Sequence, residues 1–200
     1  MNDEKIENFK ILLLGESSVG KTCILLKYVE GTFSQNIFST IGVDFMEKII
    51  DYGDTKAHLQ IWDTSGQEKY KSIGLNFLRN ADGVILVFDL TQKDTFEQMK
   101  QWLNDVNEIC DDVKIIILGN KSDLKDERKV EEEIANNFAE KLNYKYFETS
   151  AKEGTNIENA FKAMADLLMD PQTREIINNK RHRGNSVLTK KNNIKKGCCK

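Results

Sequence analysis

The feature that most constrains this chain is an apolar run that ends directly in a glycine loop. Residues 9–14 (Phe-Lys-Ile-Leu-Leu-Leu) run without a spacer into Gly15-Glu16-Ser17-Ser18-Val19-Gly20-Lys21-Thr22. The second stretch fits the pattern G-x-x-x-x-G-K-[ST]. A short run rich in Ile and Leu is how a strand of a parallel sheet, buried on both faces, appears in sequence. The two glycines permit a loop whose successive N–H groups point inward around phosphate oxygens. A helix beginning there turns its positive dipole end to the same spot. Lys21 adds a point charge for β- and γ-phosphates, and the Thr22 hydroxyl is a hard oxygen suited to Mg²⁺.

The same alternation of run and helix continues along the chain. Residues 84–88 and 115–118 read as further buried strands. Phe96, Met99, Trp102, Leu103, Val106 and Ile109 step by three and four, which marks one apolar helix face. Ile134, Phe138 and Leu142 repeat that spacing, as do Ile157, Phe161, Met164 and Leu168. Residues 43–50 and 57–62 flank Asp51-Tyr52-Gly53-Asp54, which reads as a hairpin turn. The expectation is an α/β fold: a mainly parallel sheet covered on both faces, with one antiparallel hairpin. Ligands of such sheets sit at the carboxyl ends of the strands.

Two further motifs fall where those ends should be. Asn120-Lys121-Ser122-Asp123 follows the run 115–118. A carboxylate there can accept from both N1–H and the exocyclic amine of guanine, whereas adenine offers no matching donor pair and would leave the acceptor unpaired. Ser150-Ala151-Lys152 follows the run 144–148 and can bring a backbone N–H to the guanine oxygen. Asp63-Thr64-Ser65-Gly66-Gln67-Glu68 closes another strand. Asp63 is placed to hold Mg²⁺ through water, Gly66 to present an N–H to the γ-phosphate, and Gln67 to orient an attacking water. Thr40 is a candidate second hydroxyl ligand.

The 200 residues (23.0 kDa) suit one full-sized domain. The longest uninterrupted apolar run is the five residues 84–88, too short to cross a membrane as a helix. No secretory leader is expected at the N-terminus, so the chain is expected to be intracellular. Cys23, Cys110, Cys198 and Cys199 form no Cys-x-x-Cys pair, which argues against a disulfide framework and structural zinc. Residues 171–200 hold nine Lys or Arg and one acid, a charge of +8; with −3 overall, residues 1–170 carry −11. An acidic body argues against nucleic-acid binding, while the basic tail is suited to a negative surface. The only proline, Pro171, stands where periodicity ends. The division expected is a nucleotide-binding domain over 1–170 and a flexible tether over 171–200.

The four motifs, in this order and spacing, resemble the Ras superfamily of small GTPases. The segment 39–45 (Ser-Thr-Ile-Gly-Val-Asp-Phe) and 59–63 (Leu-Gln-Ile-Trp-Asp) are similar to its Rab branch. Over about residues 8–169 the resemblance implies a P-loop NTPase three-layer fold, a six-stranded mostly parallel sheet with one antiparallel edge strand and five helices. It places nucleotide contacts on Gly15, Ser17, Ser18, Val19, Gly20, Lys21, Thr22, Cys23, Phe33, Thr40, Gly66, Asn120, Lys121, Asp123, Ser150, Ala151 and Lys152. Phe33 would pack on the guanine face, with Lys121 and Lys152 flanking the base. Thr22, Thr40 and Asp63 would hold Mg²⁺, and Lys21, Thr40 and Gln67 would serve hydrolysis of GTP to GDP. Ile41, Gly42 and the aromatic triad Phe45, Trp62 and Phe77 would meet effectors. The chain departs from the family pattern at Ser65, usually alanine, and at Ile37, where many relatives carry a tyrosine. The terminal Gly197-Cys198-Cys199-Lys200 lacks a C-a-a-X box and resembles the Rab double-geranylgeranylation signal.

The resemblance also implies a GTPase-activating protein that lends an arginine finger, an exchange factor, a dissociation inhibitor or escort protein, and effectors. The chain would work as a monomer on the cytoplasmic face of an intracellular membrane, cycling with the cytosol in vesicle trafficking. The competing readings are a nucleotide-locked scaffold with little hydrolysis, another signalling branch of the superfamily, and a P-loop ATPase or kinase, the last disfavoured by Asn120 and Asp123.

Overall fold

The structure, a computed structural model, describes residues 5–34, 43–64, 77–78 and 80–194. In chain order the elements are β1 (Lys5–Leu14), α1 (Lys21–Glu30), β2 (Val43–Asp51), β3 (Thr55–Thr64), β4 (Gly83–Asp89), α2 (Lys93–Ile109), β5 (Lys114–Asn120), α3 (Glu132–Lys141), β6 (Lys145–Thr149), α4 (Ile157–Met169) and α5 (Pro171–Ile194). The six strands form one sheet in the order β2-β3-β1-β4-β5-β6. Only the edge pair β2–β3 is antiparallel, and the other neighbours are parallel. The hairpin turn is tied by the Asp51 carboxylate, which accepts the Gly53 N–H at 2.7 Å.

Period-two alternation sorts the strand residues onto two buried faces. Phe9, Ile11 and Leu13 of β1 pack with Ile24, Leu25 and Tyr28 of α1 and with Phe161, Met164 and Leu168 of α4. Leu12 and Leu14 point the other way, toward Phe96, Met99, Trp102, Leu103 and Val106 of α2. Because helices cover both faces, every residue of β4 is buried. Each such aliphatic or aromatic side chain contributes roughly 1.5–3 kcal/mol by leaving water. Register then aligns the strand ends: Leu13 lies opposite Asp63, Asp89 opposite Asn120, and Asn120 opposite Thr149. Four buried polar or charged groups, Asp63, Asp89, Asn120 and Thr149, are thereby gathered along one edge.

Two helix faces differ from the periodicity reading. On α3 the stripe expected inward was Ile134, Phe138 and Leu142, yet Ile134 is 54% and Leu142 43% exposed. The buried residues are Ala135 and Ala139, one position along. Both stripes share the four-residue step, and the alanines win because small side chains let the helix lie close on the sheet. Phe138 is left on the flank, edge-on to Phe96 at 5.7 Å. Ile109, at the last position of α2, is likewise exposed.

The third difference is the tail. Pro171 does mark a boundary, but as the first residue of α5, a position where its fixed φ is pre-organised for a helix. Asp170 both ends α4 and caps α5, its Oδ2 accepting the Thr173 N–H at 3.0 Å and the Thr173 hydroxyl at 3.2 Å. Where composition predicts a flexible tether, the chain runs as helix to Ile194 with Thr173 and Ile177 buried against the body. Too few apolar residues lie in this segment to print a periodicity, and its cap and docking contacts stand in for one.

Candidate functional site

The loop between β1 and α1 follows from its two glycines. Gly15 has φ +146°, and a Cβ there would fall 2.1 Å from the Val87 carbonyl oxygen. Gly20 has φ +98°, and its Cβ would fall 2.4 Å from Asn120 Nδ2. No other residue type fits either place. Ser17 and Ser18 line the exposed rim of the loop, and Val19 is buried. Lys21 is folded back across it, only 5% exposed, its Nζ donating to the carbonyls of Gly15 and Glu16 at 2.8 Å each. Burial pulls the Lys21 ammonium down to about 8 against the opposing fields of Asp63 and Glu16. An anion brought against Lys21 would favour its charged form.

Beside Lys21, the Thr22 hydroxyl donates to Asp63 Oδ2 at 2.5 Å. Asp63 is fully buried at the end of β3. One hydroxyl and one carboxylate are a hard-oxygen donor set, with capacity left for phosphate oxygens and water, and that chemistry fits Mg²⁺. Among the described residues no cluster of three His, Cys, Asp or Glu could hold a metal by itself. Cys23, next along α1, is half-buried, and burial pushes its thiol up.

Asn120 holds the site together. Its Nδ2 donates to the Val19 carbonyl at 2.8 Å, and its Oδ1 accepts the Thr149 hydroxyl and the Ala151 N–H, each at 3.3 Å. One buried side chain so links the phosphate loop to both loops read as base-selecting. Lys121 has φ +70°, and its Nζ lies 2.6 Å from Asp89 Oδ2. Asp89 is itself fixed by the N–H and hydroxyl of Thr91 at 2.8 Å. Asp123 Oδ1 accepts the Ser150 hydroxyl at 2.7 Å, and Ser150 Oγ accepts the Glu153 N–H at 3.0 Å. Phe33 is half-buried against the core below α1, and Lys152 is exposed. Sequence reasoning missed Asp89 and Thr149 as supports, since neither belongs to a motif.

The aromatic residues also meet. Antiparallel register sets Phe45 opposite Trp62, with ring centroids 4.8 Å apart, and Trp62 lies 5.0 Å from Phe77. Phe45 is exposed, while Trp62 and Phe77 are half-buried. Beneath them Lys10 Nζ sits 5.2 Å from the Trp62 ring and 4.9 Å from that of Phe77, and it donates to the Phe77 carbonyl at 3.0 Å. Thr40, Ile41, Gly42, Gly66, Gln67, Cys198 and Cys199 lie outside the described residues, as do Ile37 and Ser65.

A phosphate loop at the first strand end, joined through one asparagine to a carboxylate-bearing loop at the fifth, defines a P-loop GTP-binding protein. The model of the Ras family matches residues 10–170. Over the full length of both proteins the chain is 40% identical to Ras-related protein Rab-1A of Dictyostelium discoideum. It is 43% identical to GTP-binding protein ypt1 of Schizosaccharomyces pombe over 82% of each, and 37% identical to GTP-binding protein YPT1 of Saccharomyces cerevisiae over the whole of each. The chain belongs to the Ras family, in its Rab branch, and is a GTPase. Its sheet bears out the expected six strands with one antiparallel edge, and five α-helices stand among the described residues. No helix among those residues is long and apolar enough to cross a membrane.

Proposed function

We propose that this GTPase is a membrane-anchored switch of vesicle trafficking whose two states differ by one phosphoryl group. The observation that carries the reading is the 2.5 Å bond of Thr22 to Asp63 beside the loop across which Lys21 is folded, held by two carbonyls at 2.8 Å, and which Asn120 braces. Lys21 binds the β- and γ-phosphates in place of the two carbonyls it now contacts. The backbone N–H groups of residues 15–22 surround the same oxygens. Thr22 and Asp63, with Thr40, would hold Mg²⁺, which when bound neutralises charge on the β- and γ-oxygens. Asp123 selects guanine through its paired donors, Ser150 fixes that carboxylate, and Ala151 presents its N–H toward the base oxygen. Phe33, Lys121 and Lys152 flank the ring. Gln67 orients the attacking water, and Gly66 donates to the γ-phosphate. Loss of that phosphoryl group releases the segments around Thr40 and Gly66 and changes the surface beside Ile41, Gly42, Phe45, Trp62 and Phe77. Effectors read that surface, and an exchange factor, an activating protein and a dissociation inhibitor or escort set its timing. Geranylgeranyl groups on Cys198 and Cys199 anchor the chain to the cytoplasmic face of an intracellular membrane, since a single short chain holds only marginally.

The test is a single-turnover hydrolysis course. Wild-type protein should hydrolyse GTP slowly, and excess ATP should fail to compete. Gln67→Leu should keep its GDP affinity and lose most of its turnover. Phosphate release by that variant at the wild-type rate refutes the role given to Gln67.

A further inference from the structure

The first turns of α5 lie across the end of the sheet remote from the nucleotide loops, where β1 starts and the segments leading into β4 and β5 emerge. Arg181 is the anchor. Its Nη2 donates at 2.7 Å both to Asp82 Oδ2 and to the Asn8 carbonyl. Asp82 is a buried carboxylate, 8% exposed, whose same oxygen also accepts the Lys10 N–H at 2.8 Å. Arg174 stands 3.7 Å from Glu7, and Lys180 donates to the Asp111 carbonyl at 3.4 Å. Ile177 and Thr173 are buried between these polar contacts. Three of the nine tail cations are thus turned onto the acidic body.

We propose that the seam of Glu7, Asn8, Asp82 and the Asp111 carbonyl is a docking site for the chain's own basic helix, and that docking there competes with binding of the same cations to an anionic bilayer. Arg181 cannot place one guanidinium edge on both Asp82 and the Asn8 carbonyl and also on a lipid phosphate. A cation held near anionic lipid strengthens membrane binding by about fivefold. A half-exposed ion pair is of the same order, so neither state overwhelms the other and a local rise in lipid charge tips the balance. Burial makes Asp82 costly to leave without its cation, which favours the docked form away from membranes. The lipid anchor plays no part in this competition, so the proposal stands or falls separately from the anchoring at Cys198 and Cys199.

The experiment uses the full unlipidated chain loaded with GDP. Asp82→Asn keeps every tail cation and an oxygen for the Lys10 N–H, and removes the charge that holds Arg181 and that also attracts Lys180 and Lys10. Amide hydrogen exchange across residues 174–182 should speed up about fivefold in Asp82→Asn and in Arg181→Gln. The double variant should lose no more protection than either single one. Sedimentation with vesicles of phosphatidylcholine containing about 30% phosphatidylserine should show Asp82→Asn bound about threefold to fivefold more than wild type. Arg181→Gln should show no gain, because it also loses a cation, and pure phosphatidylcholine should show none for any variant. Unchanged exchange in both single variants overturns the docking site. A loosened helix with unchanged vesicle binding, or an equal rise on neutral vesicles, overturns the competition. GDP stoichiometry reports folding, and Arg181→Gln, at a half-exposed side chain, carries the docking arm should Asp82→Asn fold poorly.

Discussion

Replacing Asn120 by alanine separates two jobs that its motif assigns together. In the structure this side chain touches the Val19 carbonyl, the Thr149 hydroxyl and the Ala151 N–H, and all three partners are buried. The 2.8 Å bond to Val19 is of ordinary length, while the two at 3.3 Å are long and weigh less. Losing them removes about 1–2 kcal/mol of net hydrogen bonding, and the stranded Val19 carbonyl costs about 1 kcal/mol or more, while the Ala151 N–H faces the base oxygen of bound GDP. The Thr149 hydroxyl can turn elsewhere. The sum is about 2–3 kcal/mol, which for a domain of this size lowers Tm by about 8 °C. Part of that cost falls on nucleotide binding, because the brace joins the phosphate loop to the base loops. GDP release should therefore quicken by at least about tenfold, the equivalent of 1.4 kcal/mol. Calorimetry of the GDP-loaded protein and displacement of a fluorescent GDP analogue measure the two effects. Thr149→Val, which loses a single long bond, should shift Tm by no more than a few degrees. An Asn120→Ala protein with Tm within about 2 °C of wild type and an unaltered release rate would refute the bracing role.

Three further outcomes are expected. Chelating divalent cations with EDTA should accelerate GDP release from wild-type protein and have much less effect on Thr22→Ala, which lacks the hydroxyl facing Asp63; release indifferent to chelator would exclude the metal role. On α3, Ala139→Leu should destabilise by about 1–3 kcal/mol through overpacking, and Ile134→Ser should change stability by no more than about 0.5 kcal/mol, both read from thermal denaturation; the reverse ranking would mean that the periodicity reading had the correct face. A fluorescently tagged Cys198→Ser/Cys199→Ser chain should leave membranes for the cytosol, and bare thiols on wild-type protein from its native cell, seen by mass spectrometry, would end the lipid assignment.

Local chemistry was legible in the primary structure. Gly15 and Gly20 stand where the backbone takes positive φ, and steric rules acting within a residue or two make that readable. The apolar runs of β1, β4 and β5 and the face of α4 from Ile157 to Leu168 obey periodicities that neighbours along the chain enforce. These sufficed for the layered sheet and for the order of the motifs around its edge. On α3, by contrast, two stripes share one period, and the volume between helix and sheet, which no periodicity records, chose Ala135 and Ala139 over Ile134 and Leu142. Asn120 braces a loop 101 residues away, and Arg181 finds Asp82 across 99. Such bonds depend on where separate segments come to rest, and so they exist only once the chain has packed.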